Sequence, residues 1–503
     1  DAQESRGLGD VYKRQLLHCN AGVESGMGHL MRTLTVARIA RDRGWSATVF
    51  GDVDEAGADT LRRMDPDLPL VTTQGAEVSI GDFADLARGV DVIHLDSYRE
   101  IPDLSSVGPL ISNMQDGPFG VRDADLAIDA NLASERTFVD PERSLSHLAG
   151  IDAAVVRAQV LAQRDVRTTP SAVPRVLVVM GGTDPHGVTA RVVTAFDRLP
   201  SEVQITVIDP RRREEVVSAA ESSRHAVEVL GFVDDLPAIA RDHDLAVTAA
   251  GTSVWDFACM GLPMALVCVA DNQRVGYRQV VERGLAIGLG EPPHQSLEER
   301  IGLLADLLES PESLAETAAA LKRIVDGLGS WRIVTSWEQL LSTPPQVGPR
   351  TALSARPAMI DDGQKLFEWR NDPTVRLNSR SRGEIDRGSH DEWLARSLED
   401  PDRLLLMIES EGMPVATCRW DRRSADAWEI SITVAPEMRG RGVAASAVQA
   451  AESALSELPP IRLVAVVHRD NAASRRLFER AGYLPHLPAD EDGFLTVARW
   501  RLS

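Results

Sequence analysis

Four cysteines in 503 residues, Cys19, Cys259, Cys268 and Cys418, with no Cys-x-x-Cys spacing, are too few for a disulfide framework or a thiolate zinc site. A reducing compartment, the cytoplasm, is therefore expected. Long apolar runs are missing as well: stretches such as Ala265–Ala270 fall far short of the about 18 residues a spanning helix needs. Asp1–Gln15 has no apolar h-region, which excludes a secretory signal. Charged and aperiodic, it looks like a sequencing or cloning scar and is set aside from fold reasoning. Positive charge is also short. Fifty-four Lys and Arg against 75 Asp and Glu leave a formal charge of −21, which repels nucleic-acid backbones and anionic lipid. Neither nucleic acid nor membrane is expected as a partner; the oligomeric state is open.

What is present is length and apolar content. At about 150 residues per domain the chain holds roughly three domains. An apolar fraction of 43%, which omits 37 glycines, is enough for real cores and excludes wholesale disorder. After the first fifteen residues, short apolar runs alternate with helical periods: Leu16–Cys19, Met31–Arg41, Ala47–Phe50, Val90–Leu95, Ala124–Ile128. Strands separated by helices predict crossover units and a parallel sheet. A second series follows the polar stretch Arg164–Pro174, with strands at Arg175–Met180, Val203–Ile208, Ala246–Ala249 and Met264–Val269. Ser342–Arg350, with three prolines and a glycine, reads as an exposed linker. Beyond it Arg403–Glu409, Pro414–Trp420 and Trp428–Val434 read as adjacent strands, α+β in character. The boundaries expected are 16–163, 164–341, a linker at 342–351, and 352–503.

Three glycine-rich loops carry the chemistry. Gly26-Met27-Gly28-His29 lies between the first strand and the next helix, where backbone amides can approach an anion. Tight packing explains the glycines equally well, and His29 reads either as a helix cap or as a general base titrating near neutral pH. Gly251-Thr252-Ser253 repeats the arrangement after Ala246–Ala249, with helix capping as the plain alternative for Thr252 and Ser253. Arg439-Gly440-Arg441-Gly442-Val443-Ala444 follows the strand ending at Val434 and opens an Ala-rich helix, and taken alone it reads as an exposed Arg/Gly loop.

The run Gly26–Ala37, with His29 and Arg32 inside it, closely resembles the opening of the nucleotide-sugar hydrolases that release UDP from 2,4-diacetamido-2,4,6-trideoxy-altropyranose in pseudaminic acid biosynthesis. Asp96-Ser97-Tyr98, Arg157, Met180-Gly181-Gly182-Thr183-Asp184 and Ala249–Gln273 resemble that family's later motifs, in order, over roughly 16–340. The resemblance implies a glycosyltransferase-B-type pair of Rossmann-like domains with the nucleotide sugar in the cleft. It implies His29 as the base that activates water, Asp96 and Tyr98 beside it, and no metal. Gly28, Arg32, Arg157, Gly182, Thr183, Gly251, Thr252, Ser253, Asp256, Asn272 and Gln273 are the implied substrate contacts. Plainer readings stand beside these: a structural carboxylate for Asp96, a half-buried aromatic for Tyr98, a polar loop for Asn272 and Gln273. His18 and Asn20 replace the Arg and Asp frequent on the family's first strand, and Asp256 replaces a Glu, so a remodelled ribose contact is expected.

Arg439–Ala444 together with Asn471-Ala472-Ala473-Ser474-Arg475-Arg476-Leu477-Phe478-Glu479-Arg480-Ala481-Gly482-Tyr483 resembles the GCN5-related N-acetyltransferases (GNAT). That implies acetyl-CoA as co-substrate, held around Val434, Arg439, Gly440, Arg441, Gly442, Val443, Ala444, Asn471 and Ser474. Phe478 stands where many relatives have a proton-donating Tyr, leaving water or Tyr483; Glu429 is the candidate base, or simply a solvated strand residue. Trp369–Arg376 and His390-x-x-Trp393 resemble sugar-amine and ribosomal-protein acetyltransferases alike, with His390 either touching acceptor phosphate or packed in the core. The leading expectation is a bifunctional enzyme of nonulosonic acid synthesis, acetylating a UDP-amino-sugar and hydrolysing the UDP-diacetamido sugar. A glycosyltransferase fused to an acetyltransferase, and a sugar-nucleotide-binding module with protein N-acetyltransferase activity, are the alternatives.

Overall fold

The computed structural model describes residues 13–22, 26–73, 79–140, 144–166, 171–181, 184, 187–293, 296–345, 352–456, 458–459 and 461–501. It divides into two compact units: one runs to Ser144 and resumes over Leu148–Val334, and the other takes Leu145–His147 and the chain from Thr335 onward. The division falls inside the helix Gly329–Ser342, ahead of the proline-rich stretch read as a linker, of which 346–351 lie outside the described residues.

The first unit contains two sheets. In the first, β1 (Arg14–Cys19), β2 (Ser46–Gly51), β3 (Leu70–Thr72), β4 (Val92–Asp96), β5 (Leu110–Gln115), β6 (Leu126–Asp129) and β7 (Ser146–Ala149) lie in the order 3-2-1-4-5-6-7. Pairings from β3 through β6 are parallel. β1 starts at Arg14, so Arg14 and Gln15 belong to the strand and not to the segment set aside; 1–12 lie outside the described residues. The chain order reverses between β1 and β4, and in such sheets ligands bind outside the carboxyl ends of the strands at that switch. Cys19 and Asp96 are in register there.

β8 (Arg175–Val179), β9 (Gln204–Ile208), β10 (Ala226–Leu230), β11 (Leu245–Ala249), β12 (Met264–Val267) and β13 (Ile287–Gly290) form the second sheet, all parallel, in the order 10-9-8-11-12-13. Valine-rich β8 and the small-residue β11 are buried on both faces, as parallel strands under helices are. One of its two cores takes Val156 and Val160 from before the expected boundary at 163, because the helix Ala158–Gln163 packs on the helix Ser253–Met260.

The second unit is one mixed sheet. β14 (Ser354–Pro357), β15 (Arg403–Ser410), β16 (Met413–Ser424), β17 (Ala427–Val434), β18 (Ile461–His468), β19 (Leu484–Leu487) and β20 (Phe494–Arg501) lie in the order 14-15-16-17-18-20-19. All pairs are antiparallel except β17 with β18, whose register ends at Ile430 opposite Ala465. Ser431–Val434 therefore runs past the last recorded pair with β18. Alternate residues of β16 and β17 face two cores: Cys418, Trp420 and Ile430 pack with the helix Val443–Ser453. Leu405 and Met407 of β15 pack with the helices Gly363–Asn371 and Arg387–Glu399 on the other face.

Candidate functional site

In the first unit the side chains that matter converge on Asp96, the last residue of β4 and fully buried. The helix Gly28–Asp42 begins at the adjacent strand end, and His29 and Arg32, three residues apart, share the face turned toward it. His29 Nδ1 lies 2.6 Å from Asp96 Oδ1, while Arg32 donates from Nε and Nη2 to the two carboxylate oxygens at 2.9 and 2.6 Å. Burial by itself would raise the Asp96 pKa, but Arg32 and His29 outweigh it and hold the group well below the usual carboxylate range. Arg32 Nη2 is also 3.0 Å from His29 Nδ1, yet a nitrogen donating to Asp96 cannot accept there; the shorter contact assigns the proton to Nδ1. Nε2 is then the basic nitrogen.

Tyr98 packs its ring edge-on to His29, with centroids 4.5 Å apart. Its hydroxyl donates to Asp116 at 2.5 Å and accepts from Asn272 Nδ2 at 3.4 Å. Burial, reinforced by Asp116, raises the phenol pKa far above its ordinary value, so Tyr98 is neutral. Asn131 bridges Asp116 and Asp129. Burial pushes Asp129 up to about 6 against the hydrogen bonds it accepts from the amides of Asn131 and Gly117. Asp116, Asn131 and Trp255 were missed from sequence. They line, with Arg32 and Thr252, a cavity of about 20 Å³.

The two glycine loops meet: a methyl group on Gly28 would sit 3.9 Å from Thr252 Oγ1. Thr252 and Ser253 are half-buried at the start of the helix Ser253–Met260, and the Thr252 side chain makes no capping bond, so the plain capping reading fails for it. Arg157 and Asp256 hold each other, Nε and Nη2 reaching Oδ2 at 2.9 and 2.7 Å. The shorter carboxylate is buried in this ion pair. Gln273 Oε1 accepts from the Val269 amide, which pins that side chain to its own loop. Gly251 half-buries its backbone beside it; Gly182 and Thr183 lie outside the described residues. His18 packs against Phe50 and Phe83, and burial pushes it down to about 4, a neutral core histidine. Asn20 ties the two strand ends together through Ser97 at 2.6 Å.

In the second unit Gly440 and Gly442 have φ of +73° and +77°, a loop that a side chain at either position would strain, and a Cβ there meets nothing within 4 Å. Gly442 caps the helix Val443–Ser453, so the amides of Val443 and Ala444 open the first turn toward the end of β17 at Val434. Arg441 is exposed; Arg439 instead donates to Asp372 at 2.8 Å. Asn471 Oδ1 accepts from the Ser474 amide at 3.1 Å as the cap of the helix Ala472–Arg480. Tyr483 is fully buried and its hydroxyl donates to Glu452 at 2.9 Å; burial and Glu452 raise its pKa far above normal, which removes it as the proton donor left open by Phe478. Glu429 accepts from Arg423 Nε at 2.9 Å. His390 is buried between Phe367 and Trp393, the packed reading. A cavity of about 460 Å³ opens beside Trp369, Asp372, Glu384 and Glu437.

Residues 176–327 match the model of the glycosyltransferase family 28 C-terminal domain, and 353–484 that of the acetyltransferase (GNAT) domain. The chain joins a glycosyltransferase-like unit to a GNAT acetyltransferase domain. The parallel sheets of the glycosyltransferase-like unit are GT-B-type Rossmann folds, and the mixed sheet is a GNAT fold. An uncharacterized protein of Methanocaldococcus jannaschii, MJ1062, is 19% identical over 487 residues, 92% of this chain and 95% of that one. The spore coat polysaccharide biosynthesis protein SpsG of Bacillus subtilis is 20% identical over 195 residues, and the chain spans 58% of its length. Among solved structures, MurG of Acinetobacter baumannii is 16% identical, with a TM-score of 0.48 over 64% of this chain and 98% of its own. The aminoglycoside acetyltransferase AAC(6')-Ib with coenzyme A is 16% identical, with a TM-score of 0.27 over 30% of this chain and 95% of its own. Among the described residues of both units no group of three His, Cys, Asp or Glu side chains is placed to hold a metal ion, and no helix is long and apolar enough to cross a membrane.

Proposed function

We propose that the glycosyltransferase-like unit hydrolyses a UDP-linked 2,4-diacetamido-trideoxy sugar and that the acetyltransferase domain acetylates an amino group of a UDP-amino-sugar, two steps toward a nonulosonic acid of the pseudaminic type. The arrangement of His29 on Asp96 supports the first activity above all. With Nδ1–H donated to a carboxylate that stays ionised, Nε2 can take a proton from water as its oxygen attacks the anomeric carbon. The bond from that carbon to the diphosphate oxygen breaks, UDP leaves with the electron pair, and the imidazolium formed is stabilised by Asp96. Amides at Gly28 and at Gly251-Thr252-Ser253, on facing helix starts, favour the diphosphate. Arg157 and Asp256 act as one fixed unit toward the nucleoside. The nature of the sugar comes from the resemblance of the Gly26–Ala37 and Ala249–Gln273 motifs.

In the acetyltransferase domain the amine attacks the thioester carbonyl, the carbon–sulfur bond breaks and the thiolate leaves. The loop 439–444 suits the pyrophosphate of acetyl-CoA. Glu429, which accepts from Arg423, is the carboxylate assigned to the amine proton, and water serves the thiolate. The family 28 match favours a second reading, glycosyl transfer to an acceptor hydroxyl deprotonated by the same His29. Incubation with UDP-sugar alone separates the two: free sugar and UDP in equal amounts support hydrolysis, whereas turnover only with added acceptor supports transfer. UDP release undiminished by His29→Ala would refute both.

A further inference from the structure

The motif Trp369–Arg376 is only partly used by the functions above. Its two arginines, Arg370 and Arg376, are half-buried with Arg419 of β16 on one face of the mixed sheet. Arg419 is in register with Leu405, whose core includes Leu366, Trp369 and Leu394, so it points toward the two helices on that face. Nη1 of Arg370 and Nε of Arg376 are shielded from solvent with no hydrogen-bond partner. Buried guanidinium donors left unpaired are costly unless an anion meets them.

The surrounding carboxylates are committed elsewhere. Asp421 accepts from Arg403 and Arg419 together, Asp372 from Arg439, Asp391 from Arg387, and Glu429 from Arg423. Arg370 reaches only the Ser381 carbonyl, at 2.9 Å, and Arg376 only an exposed Glu384, at 3.9 Å. Burial and the like charges of Arg376 and Arg419 all lower the Arg370 pKa. Asp421 serves Arg419 through Nε, so what stays without an acceptor among the described residues is Arg370 Nη1 and Arg376 Nε. Arg419 also lies opposite Ser431, two positions from Glu429 on the same strand face, about 7 Å along the strand. That is close to the span from a glycosyl phosphate across a hexose ring to an amino group.

We propose that Arg370, Arg376 and Arg419 form an anion subsite for a phosphate of the acetyl acceptor, so that the domain acetylates an amine carried on a phosphate ester. The inference rests on the reading of this domain as an amino-sugar acetyltransferase. Planar guanidinium groups suit phosphate oxygens in bidentate geometry, and a half-buried site strengthens the attraction.

The test uses the full chain, acetyl-CoA, and one amino sugar offered free, as its 1-phosphate and as its UDP ester. Both esters are expected to exceed the free sugar in kcat/KM by about 100-fold, and the ratio between them tells a monoester from a nucleoside diphosphate ligand. Arg370→Gln and Arg376→Gln are each expected to raise KM for the esters about tenfold more than for the free sugar, with inorganic pyrophosphate competing against acceptor and not against acetyl-CoA. Equal losses on free and esterified acceptor, or a rise in the KM of acetyl-CoA instead, would overturn the subsite. If no form of the sugar is acetylated, the underlying reading falls. Calorimetric titration with pyrophosphate then decides the subsite: binding abolished in both variants upholds it, and binding unchanged overturns it. Retained acetyl-CoA binding by each variant shows that it is folded.

Discussion

Asp96→Asn separates the chemical role of the His29 pair from its structural one. The substitution keeps the shape and removes the charge that two buried partners share. Arg32, with a side chain only 15% exposed, loses its bidentate counterion, and His29 loses the acceptor that fixes its proton on Nδ1. Breaking a buried pair by removing one charge costs about 3–5 kcal/mol. The catalytic loss, by analogy with a triad carboxylate replaced by its amide, is of the order of 10⁴ in kcat. His29→Ala should lose a comparable amount of turnover but less stability, about 1.5–3 kcal/mol for a charge-assisted hydrogen bond, because Arg32 and Asp96 stay paired. UDP release under saturating UDP-sugar, together with urea midpoints for wild type, Asp96→Asn and His29→Ala, reads both quantities. The sign with pH follows: a carboxylate depressed in the folded state stabilises above its unfolded pKa, so at pH 7 the whole contribution is present and it disappears only in strong acid. Asp96→Asn retaining turnover within tenfold of wild type, or proving no less stable than His29→Ala, would refute the arrangement.

Acid sensitivity should arise elsewhere in the same unit. Burial pushes His18 and His94 down to about 4, so they stabilise above their unfolded pKa of 6.5 and lose that contribution as pH falls toward 4. From pH 7 to pH 5 this is about 2 kcal/mol for each, and a urea midpoint whose pH slope is the same in wild type and in His94→Gln would contradict it. Tyr483→Phe should leave acetyl transfer within about twofold and lower stability by about 1 kcal/mol, because its hydroxyl serves Glu452; a large loss of kcat with unchanged melting would restore Tyr483 as the proton donor. Gly442→Ala forces a Cβ onto a φ of +77°, at about 1–2 kcal/mol, and should raise the KM of acetyl-CoA while leaving UDP release intact. Measuring both activities on the same preparation checks it.

The strands read correctly from sequence are those with a clear apolar run or alternation: β1, β2, β4, β6, β8, β9, β11, β12, β15, β16 and β17, each within a few residues. β5 escaped because its sequence, Leu110–Gln115, buries Ser112, Asn113 and Gln115 instead of apolar side chains. Ser112 pairs with His94, and the Asn113 and Gln115 amide nitrogens donate to the Gly120 and Val139 carbonyls, partners that no periodicity announces. Missing β5 meant missing Asp116, which follows it and receives the Tyr98 hydroxyl. Arg164–Pro174 is polar enough to read as a break, but Val156 and Val160 upstream of it already belong to the second core.

Local composition and motif order were sufficient for what depends on neighbours in the chain: the alternation of strand and helix, the three glycine loops, and His29 placed at a helix start beside a strand end. Charge pairing was not legible, because it depends on residues far apart in sequence. His29 with Asp96 spans 67 positions and Arg157 with Asp256 spans 99, and whether a carboxylate is a ligand contact or an internal counterion is set by which arginine the fold brings beside it. Only the tertiary structure paired Asp256 with Arg157 and Asn471 with the Ser474 amide, left Arg370 Nη1 and Arg376 Nε without an acceptor among the described residues, and oriented the His29 imidazole, since burial and counterion distance are properties of the packed chain.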